Sequence, residues 1–93
     1  MNRIRLKNER RKIDSIDQQI FRLIIKRTNV VKKMLALKKS KHEIVDHKRI
    51  KEILFTLRKK SIRNKIDPKI TNRIWKNMIW SYIDYERRNF KNK

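Results

Sequence analysis

Apolar residues recur at three- and four-residue steps through most of the chain, which is the spacing of one face of an α-helix. Six residues of the first part carry this spacing: Ile13, Ile16, Ile20, Ile24, Val31 and Met34. Neither Gly nor Pro interrupts the stretch between about residues 6 and 39. The pattern predicts one long helix over this stretch, followed by a break at residues 40–43, where polar residues gather.

Two further helices are predicted after this break. Asp46 is a suitable N-cap for the second, and the polar residues 61–65 are interpreted as a linker that follows it. Asp67 and Pro68 then give a start signal, because a capping carboxylate precedes a proline at the first helical position. The apolar positions of the third helix are Ile70, Ile74, Trp75, Met78, Ile79, Tyr82, Ile83 and Tyr85. With no strand signal, we expect an all-α fold of three helices (long, short and medium) in a single domain over residues 1–93.

The length of the first helix predicts an oligomer. About 33 residues at about 1.5 Å each give a rod of roughly 50 Å, whereas a compact globule of this size is only about 30 Å across. Because the apolar stripe runs along the whole rod, the second and third helices are too small to cover it. We therefore expect an obligate homodimer, an intertwined helical bundle with paired long helices.

Three cations interrupt the apolar stripe of the first helix: Arg10, Arg27 and Lys38. Asp17 is the one acid on the same stripe. Since burying an unpaired cation costs several kcal/mol, two interpretations stay open. In the first, these side chains reach solvent along their own stems or pair with acids of the partner chain. In the second, a small dianion meets them inside the protein.

The third helix carries a comparable anomaly. Its predicted inner face ends in a carboxyl group, and the members of that face are Thr71, Trp75, Met78, Tyr82 and Glu86. Glu86 could also form an ordinary salt bridge with a nearby cation. At the head of the second helix, Asp46 and Arg49 are three residues apart, which by default makes them a cap and a local ion pair.

The composition excludes several function classes. The absence of glycine removes glycine-rich phosphate loops and nucleophile elbows, and the absence of cysteine removes disulfides and thiol catalysis. The longest apolar run, Leu23 to Ile25, is far shorter than a membrane span or a signal-peptide core. We therefore expect a cytoplasmic protein with no membrane partner.

The net charge of +20, from 29 Lys and Arg against 9 Asp and Glu, has two explanations. Clustered cations bind nucleic acid through counterion release, but these cations are spread along the whole chain. Abundant Lys, Ile and Asn with a single Ala is also the bias of an AT-rich coding sequence. The charge alone therefore does not indicate a polyanion-binding protein.

Several segments in a fixed order carry a resemblance to a known family. They are Arg10-Arg11-Lys12-Ile13-Asp14-Ser15-Ile16-Asp17, Arg27, Lys38 eleven residues later, Val45 to Arg49, Ile66-Asp67-Pro68, and Trp75 to Glu86. Together, from about residue 6 to residue 90, they resemble the all-helical, intertwined-dimer chorismate mutases and the related isochorismate-pyruvate lyases.

The resemblance implies a site that binds a dianionic substrate, with no metal or cofactor. Arg10, donated by the partner chain, and Arg27 would hold the two carboxylates of chorismate. Lys38 and Glu86 would be catalytic and would contact the ether oxygen, whose growing negative charge must be stabilised as the C–O bond breaks. The implied substrate-binding residues are Arg10, Arg27, Lys38, Asp46, Arg49, Tyr82 and Glu86.

Two positions depart from the usual mutase pattern. Ile50 replaces a Glu that in mutases commonly binds the ring hydroxyl, and Tyr82 replaces a common Ser. Both changes, and the short spacing from Lys38 to Arg49, resemble the sequences of the lyases, which form salicylate and pyruvate from isochorismate. Asp46, in contrast, is the residue typical of the mutases. A chorismate mutase that serves Phe and Tyr synthesis is the favoured interpretation, and the lyase is the alternative.

A basic helical nucleic-acid-binding dimer is the second alternative. We do not expect nucleic acid as the partner, because phosphate-binding cations belong on an outer face.

Overall fold

The computed structural model describes residues 2–91 and contains three α-helices. They are α1 (Asn2–Leu37), α2 (His47–Arg63) and α3 (Pro68–Asn89), with a single 3-10 turn, Lys41–Glu43, between α1 and α2. No strand occurs in this described range, which confirms the predicted all-α fold. Over the same residues, no helix is both long and apolar enough to cross a membrane.

Helix α1 begins earlier and ends earlier than the sequence predicts. It starts at Asn2 rather than near residue 6, and it stops at Leu37 rather than at Lys39. The early end has the larger consequence, because Lys38 lies in irregular backbone immediately after the helix.

The chain divides into two compact units, Met1–Lys32 and Lys33–Lys93. The first unit is part of α1 alone, and Val31 is the buried residue of that helix. Its large apolar side chains are mostly exposed, each by at least 48%: Ile4, Leu6, Ile13, Ile16, Ile20, Phe21, Leu23, Ile25 and Val30. Apolar exposure on this scale along one helix is typical of an interaction face.

The second unit has its core between α2 and α3. Ile44, from the segment before α2, is buried together with Ile79 and Ile83 of α3. Partly buried side chains surround these three: Val45, Ile50, Ile53, Leu54, Trp75 and Phe90. The core thus joins the connection after α1 to the middle of α3.

Both predicted helix starts are confirmed. Asp46 caps α2, since its Oδ1 accepts a hydrogen bond from the Arg49 amide at 3.0 Å. Asp67 caps α3 in the same way, with its Oδ1 2.9 Å from the Lys69 amide nitrogen and Pro68 at the start of the helix. Each carboxylate satisfies an amide that has no partner within its own helix.

The interpretation of residues 61–65 as a polar linker is wrong, because α2 continues to Arg63. Ser61 is only 2% exposed and lies on the side of α2 that packs against α3. Its hydroxyl donates to the Leu57 carbonyl at 2.7 Å and lies 2.7 Å from the Thr71 hydroxyl. A serine is tolerated here because its polar atom is satisfied inside the protein.

A lysine closes α2 at a position that normally favours glycine. Lys65 has φ 57°, in the left-handed region, and the Ile66 amide donates to the Ser61 carbonyl at 2.9 Å. The Lys65 amide donates to the Ile62 carbonyl at 3.1 Å, which completes a Schellman motif. In a chain without glycine, this turn is made at some steric cost.

The Ser61–Thr71 contact predicts coupled effects on stability. Replacing either hydroxyl (Ser61→Ala or Thr71→Val) should lower the free energy of unfolding by about 1 kcal/mol, because the remaining hydroxyl loses a buried partner. The double variant should cost less than the sum of the two. Urea unfolding at a fixed protein concentration measures all three.

Ser81→Ala is the matched control, because the Ser81 hydroxyl makes the same kind of bond, to the Asn77 carbonyl, but is exposed. It should change the free energy of unfolding by no more than about 0.5 kcal/mol. Strict additivity of the two buried substitutions would contradict the coupling.

Candidate active site

Lys38 and Glu86 form an ion pair in the second unit, although they are 48 residues apart in sequence. The Lys38 Nζ lies 3.0 Å from Glu86 Oε2. The two side chains are 17% and 7% exposed. The pair therefore lies largely out of solvent and joins the segment after α1 to the last part of α3.

The burial of this pair answers one question that the sequence leaves open. Lys38 does not extend along its stem into bulk water but turns toward α3, where it meets Glu86. Glu86 is 5% exposed as a residue, and it forms the salt bridge with a nearby cation that the sequence left open as its alternative role. Because two charges in a poorly hydrated place are expensive unless they are paired, each residue depends on the other.

The predicted inner face of α3 is confirmed in part, because the buried apolar residues of this helix are Ile79 and Ile83 to one side of it. Thr71, Trp75, Met78 and Tyr82 are half-buried, and Glu86 follows one turn after Tyr82 as a buried residue. Tyr82 thus lies on the same face of α3 as the Lys38–Glu86 pair.

At the start of α2, the expected cap between Asp46 and Arg49 is present, but the expected ion pair between their side chains is not: the Asp46 carboxylate bonds to the Arg49 backbone amide, and the Arg49 guanidinium pairs with Glu52 instead. One oxygen of Asp46 is used to cap the helix. The Arg49 guanidinium makes its ion pair with Glu52 at 3.9 Å, and both side chains are more than half exposed. An exposed pair at this distance contributes little to stability, so Arg49 is available for another anion. Arg49 also borders a surface depression with a volume of about 220 Å³, which Lys60 and Trp75 help to line.

The two predicted arginines of α1 belong to the first unit. Arg10 is exposed and Arg27 is half-buried. Their predicted roles with respect to a substrate stay predictions.

One residue of this region was missed by the sequence analysis. The Glu43 carboxylate accepts hydrogen bonds from the Lys39 amide and, at 3.0 Å, from the Ser40 amide. These backbone bonds, that from Ser40 first, hold the pKa of Glu43 below its ordinary value. The signal was present as the spacing Ser40-x-x-Glu43, which is that of a capping box.

Metal ligands are not grouped in the part of the chain that the structure describes. Within residues 2–91, no three His, Cys, Asp or Glu side chains come together in a way that could hold an ion.

Comparison with known proteins assigns the chain to a family. The model of the family "chorismate mutase type II" matches residues 9–87. No match is found among curated proteins or among solved structures. The matched range covers most of the chain and includes Arg10, Lys38 and Glu86. Since the family model matches well over half of the sequence and the fold is all-helical, the chain belongs to the chorismate mutase type II family.

Proposed function

We propose that this protein is a chorismate mutase, which converts chorismate to prephenate. The observation that carries the proposal is the Lys38–Glu86 pair, a desolvated ammonium and a carboxyl group brought together from distant parts of a family member. The family resemblance implies that both residues contact the reacting oxygen. The family assignment supports mutase-type activity, and the buried pair supports the proposal that Lys38 and Glu86 take part in it.

The proposed reaction requires few chemical groups from the protein. It is an intramolecular rearrangement that needs no nucleophile, so catalysis consists of holding a compact conformer of the substrate and stabilising its transition state. Negative charge grows on the ether oxygen as the C–O bond breaks. A fixed cation near that oxygen therefore lowers the barrier.

Lys38 is suited to this task because its ammonium is already held in place. In the free protein, Glu86 keeps the Nζ oriented at 3.0 Å and largely away from water. A preorganised cation of this kind does not have to shed its hydration shell during the reaction. When protonated, Glu86 would donate a second hydrogen bond to the same oxygen, whereas its ionised form can only accept.

The remaining predicted residues would hold the rest of the substrate. Arg10 and Arg27 would bind the two carboxylates, for which the paired donors of a guanidinium are well matched. Asp46 and Arg49 would lie near the ring hydroxyl, and Tyr82 would border the site from α3. The weak ion pair of Arg49 with Glu52 supports this role, since it leaves the guanidinium open to a stronger partner.

We also propose an obligate homodimer in which the partner chain donates Arg10. The exposed apolar side chains of the first unit support this assembly, because a single chain leaves them in water. The family match supports a single functional domain, since it extends across both compact units. The cytoplasmic location and the role in Phe and Tyr synthesis remain predictions that accompany the mutase proposal.

One observation favours a second candidate, the isochorismate-pyruvate lyase. Ile50, which replaces the common acidic residue, is half-buried and packs against the core of the second unit. It offers no acceptor for a ring hydroxyl. The nucleic-acid interpretation is weakened by the position of Lys38, which faces Glu86 instead of an outer surface.

The first prediction of this proposal concerns the product and the role of Lys38. The purified protein should form prephenate from chorismate, and Lys38→Ala should reduce the rate by at least about a hundredfold, because a preorganised donor is removed. Lys39→Ala is the matched control, since its side chain is exposed, and it should leave the rate unchanged. Incubation with isochorismate, assayed for salicylate and pyruvate, tests the lyase.

Loss of Lys38 also leaves Glu86 unpaired, so stability must be followed separately. The double variant Lys38→Ala, Glu86→Gln removes the unpaired charge and should regain stability without regaining activity. A Lys38→Ala enzyme with the wild-type rate would show that the assigned site is wrong.

The second prediction concerns Glu86 as a hydrogen-bond donor. The amide of Glu86→Gln can donate to the ether oxygen, so this variant should keep most of the wild-type kcat, whereas Glu86→Ala should lower kcat by about a hundredfold. Steady-state kinetics of the two variants make the comparison. Equal losses in both would remove Glu86 from the mechanism.

The third prediction concerns the shared site. Arg10→Ala and Lys38→Ala should each be inactive alone, yet mixing the two after co-unfolding should restore about a quarter of the wild-type activity, since half of the dimers are then mixed and each has one intact site. If the mixture stays inactive while dimers form, then Arg10 serves the site of its own chain.

A further inference from the structure

Lys38 lies outside regular secondary structure, so few backbone hydrogen bonds fix its position. Helix α1 ends at Leu37, and the Lys38 amide makes one backbone hydrogen bond to the Leu35 carbonyl at 3.2 Å. The next regular element is the single 3-10 turn Lys41–Glu43. A side chain on such a segment depends on whatever fixes the backbone immediately after it.

Glu43 supplies this fixation. Its carboxylate accepts the amide hydrogens of Lys39 and Ser40, the two residues that follow Lys38. The turn itself is closed by the Glu43 amide, which donates to the Ser40 carbonyl at 3.2 Å. Glu43 thus makes hydrogen bonds to both residues, Lys39 and Ser40, that connect Lys38 to the 3-10 turn.

The 3-10 turn is itself packed against α3, the helix that carries Glu86. Ile44, directly after Glu43, is 5% exposed and packs with Ile79 and Ile83 of α3. Glu86 lies less than one turn beyond Ile83 on the same helix. A continuous set of contacts therefore links the Glu43 carboxylate to the place where Lys38 meets Glu86.

We propose that Glu43 is a positioning residue for Lys38: it fixes the backbone at Lys39 and Ser40 so that the Lys38 ammonium is presented at the Glu86 side of the site. The kinetic part of this inference rests on the proposed mutase function, whereas the structural part does not. Glu43 does not itself contact the reacting atoms in this scheme.

The charges around Glu43 support the proposal. It is the first acid after Asp17, and the residues from Lys38 to His42 include three lysines. Hydrogen bonds from the backbone of Ser40 and Lys39, with the charges of Lys39 and Lys38, hold its pKa below the ordinary value. The group is therefore ionised at neutral pH, and its bonds to the two amides are charge-assisted, which makes them stronger than neutral ones.

The experiment compares Glu43→Ala with Glu43→Gln in the full-length protein. Alanine removes the acceptor, while glutamine keeps a carbonyl oxygen that can accept from the same amides. Asp84→Ala is the control for the lost negative charge, because Asp84 is exposed and pairs with Arg88 on the surface of α3. Thermal melts establish that all three variants are folded.

The kinetic readout separates turnover from binding. A displaced Lys38 acts on the transition state, so Glu43→Ala should lower kcat about tenfold with KM changed less than about twofold. Glu43→Gln should keep kcat within about threefold of the wild type, and Asp84→Ala should not change it. Equal losses in Glu43→Ala and Glu43→Gln would overturn the hydrogen-bonding role.

A second readout is independent of any enzymatic activity. In the wild type, reductive methylation of Lys38 should be slow compared with Lys39, because Lys38 is held at Glu86 and is 17% exposed. In Glu43→Ala the Lys38 rate, located by tandem mass spectrometry, should rise toward that of Lys39. An unchanged Lys38 rate would overturn the proposal, even if the protein shows no mutase activity.

Discussion

A single ion pair in a poorly hydrated place constrains how the second unit of this protein is built. Lys38 and Glu86 approach to 3.0 Å with little exposure, so neither charge has enough water to stabilise it alone. The segment after α1 and the last turns of α3 must therefore hold both groups in register. In the proposed reaction the same arrangement would supply the chemistry, because a cation that the fold keeps oriented and dry stabilises a growing negative charge more effectively than a hydrated one.

The second unit provides the support for this pair through ordinary packing. The buried contact of Ile44 with Ile79 and Ile83 fixes the connection before α2 against α3. The Ser61–Thr71 hydroxyl contact ties the far end of α2 to the start of α3. The polar groups here are few and paired, so the unit can hold a charged pair without leaving its core short of partners.

Most of the fold could be predicted from the sequence, which also singled out Lys38 and Glu86, the two residues that form the buried pair; their roles toward a substrate stay predictions. Three-four spacing, Asp46 and Asp67-Pro68 gave the helices and both starts, and the inner face of α3 led to Glu86. Ser61 was misjudged because a polar residue suggests a linker, and only the packed helices reveal its partner, Thr71. The end of α1 at Leu37 and the contacts of Glu43 depend on backbone hydrogen bonds, which hydrophobic spacing does not report.

The position of Lys38 just outside α1 bears on how this chain could tolerate change. Connections between helices usually accept insertions and deletions, since exposed side chains there contribute little to packing. Residues 39, 41, 42 and 43 are all exposed and would be judged dispensable by that criterion. An added residue in this stretch would nevertheless leave every helix intact while moving the ammonium away from α3. In this small protein, the length of a surface connection is itself part of the geometry that holds the buried pair.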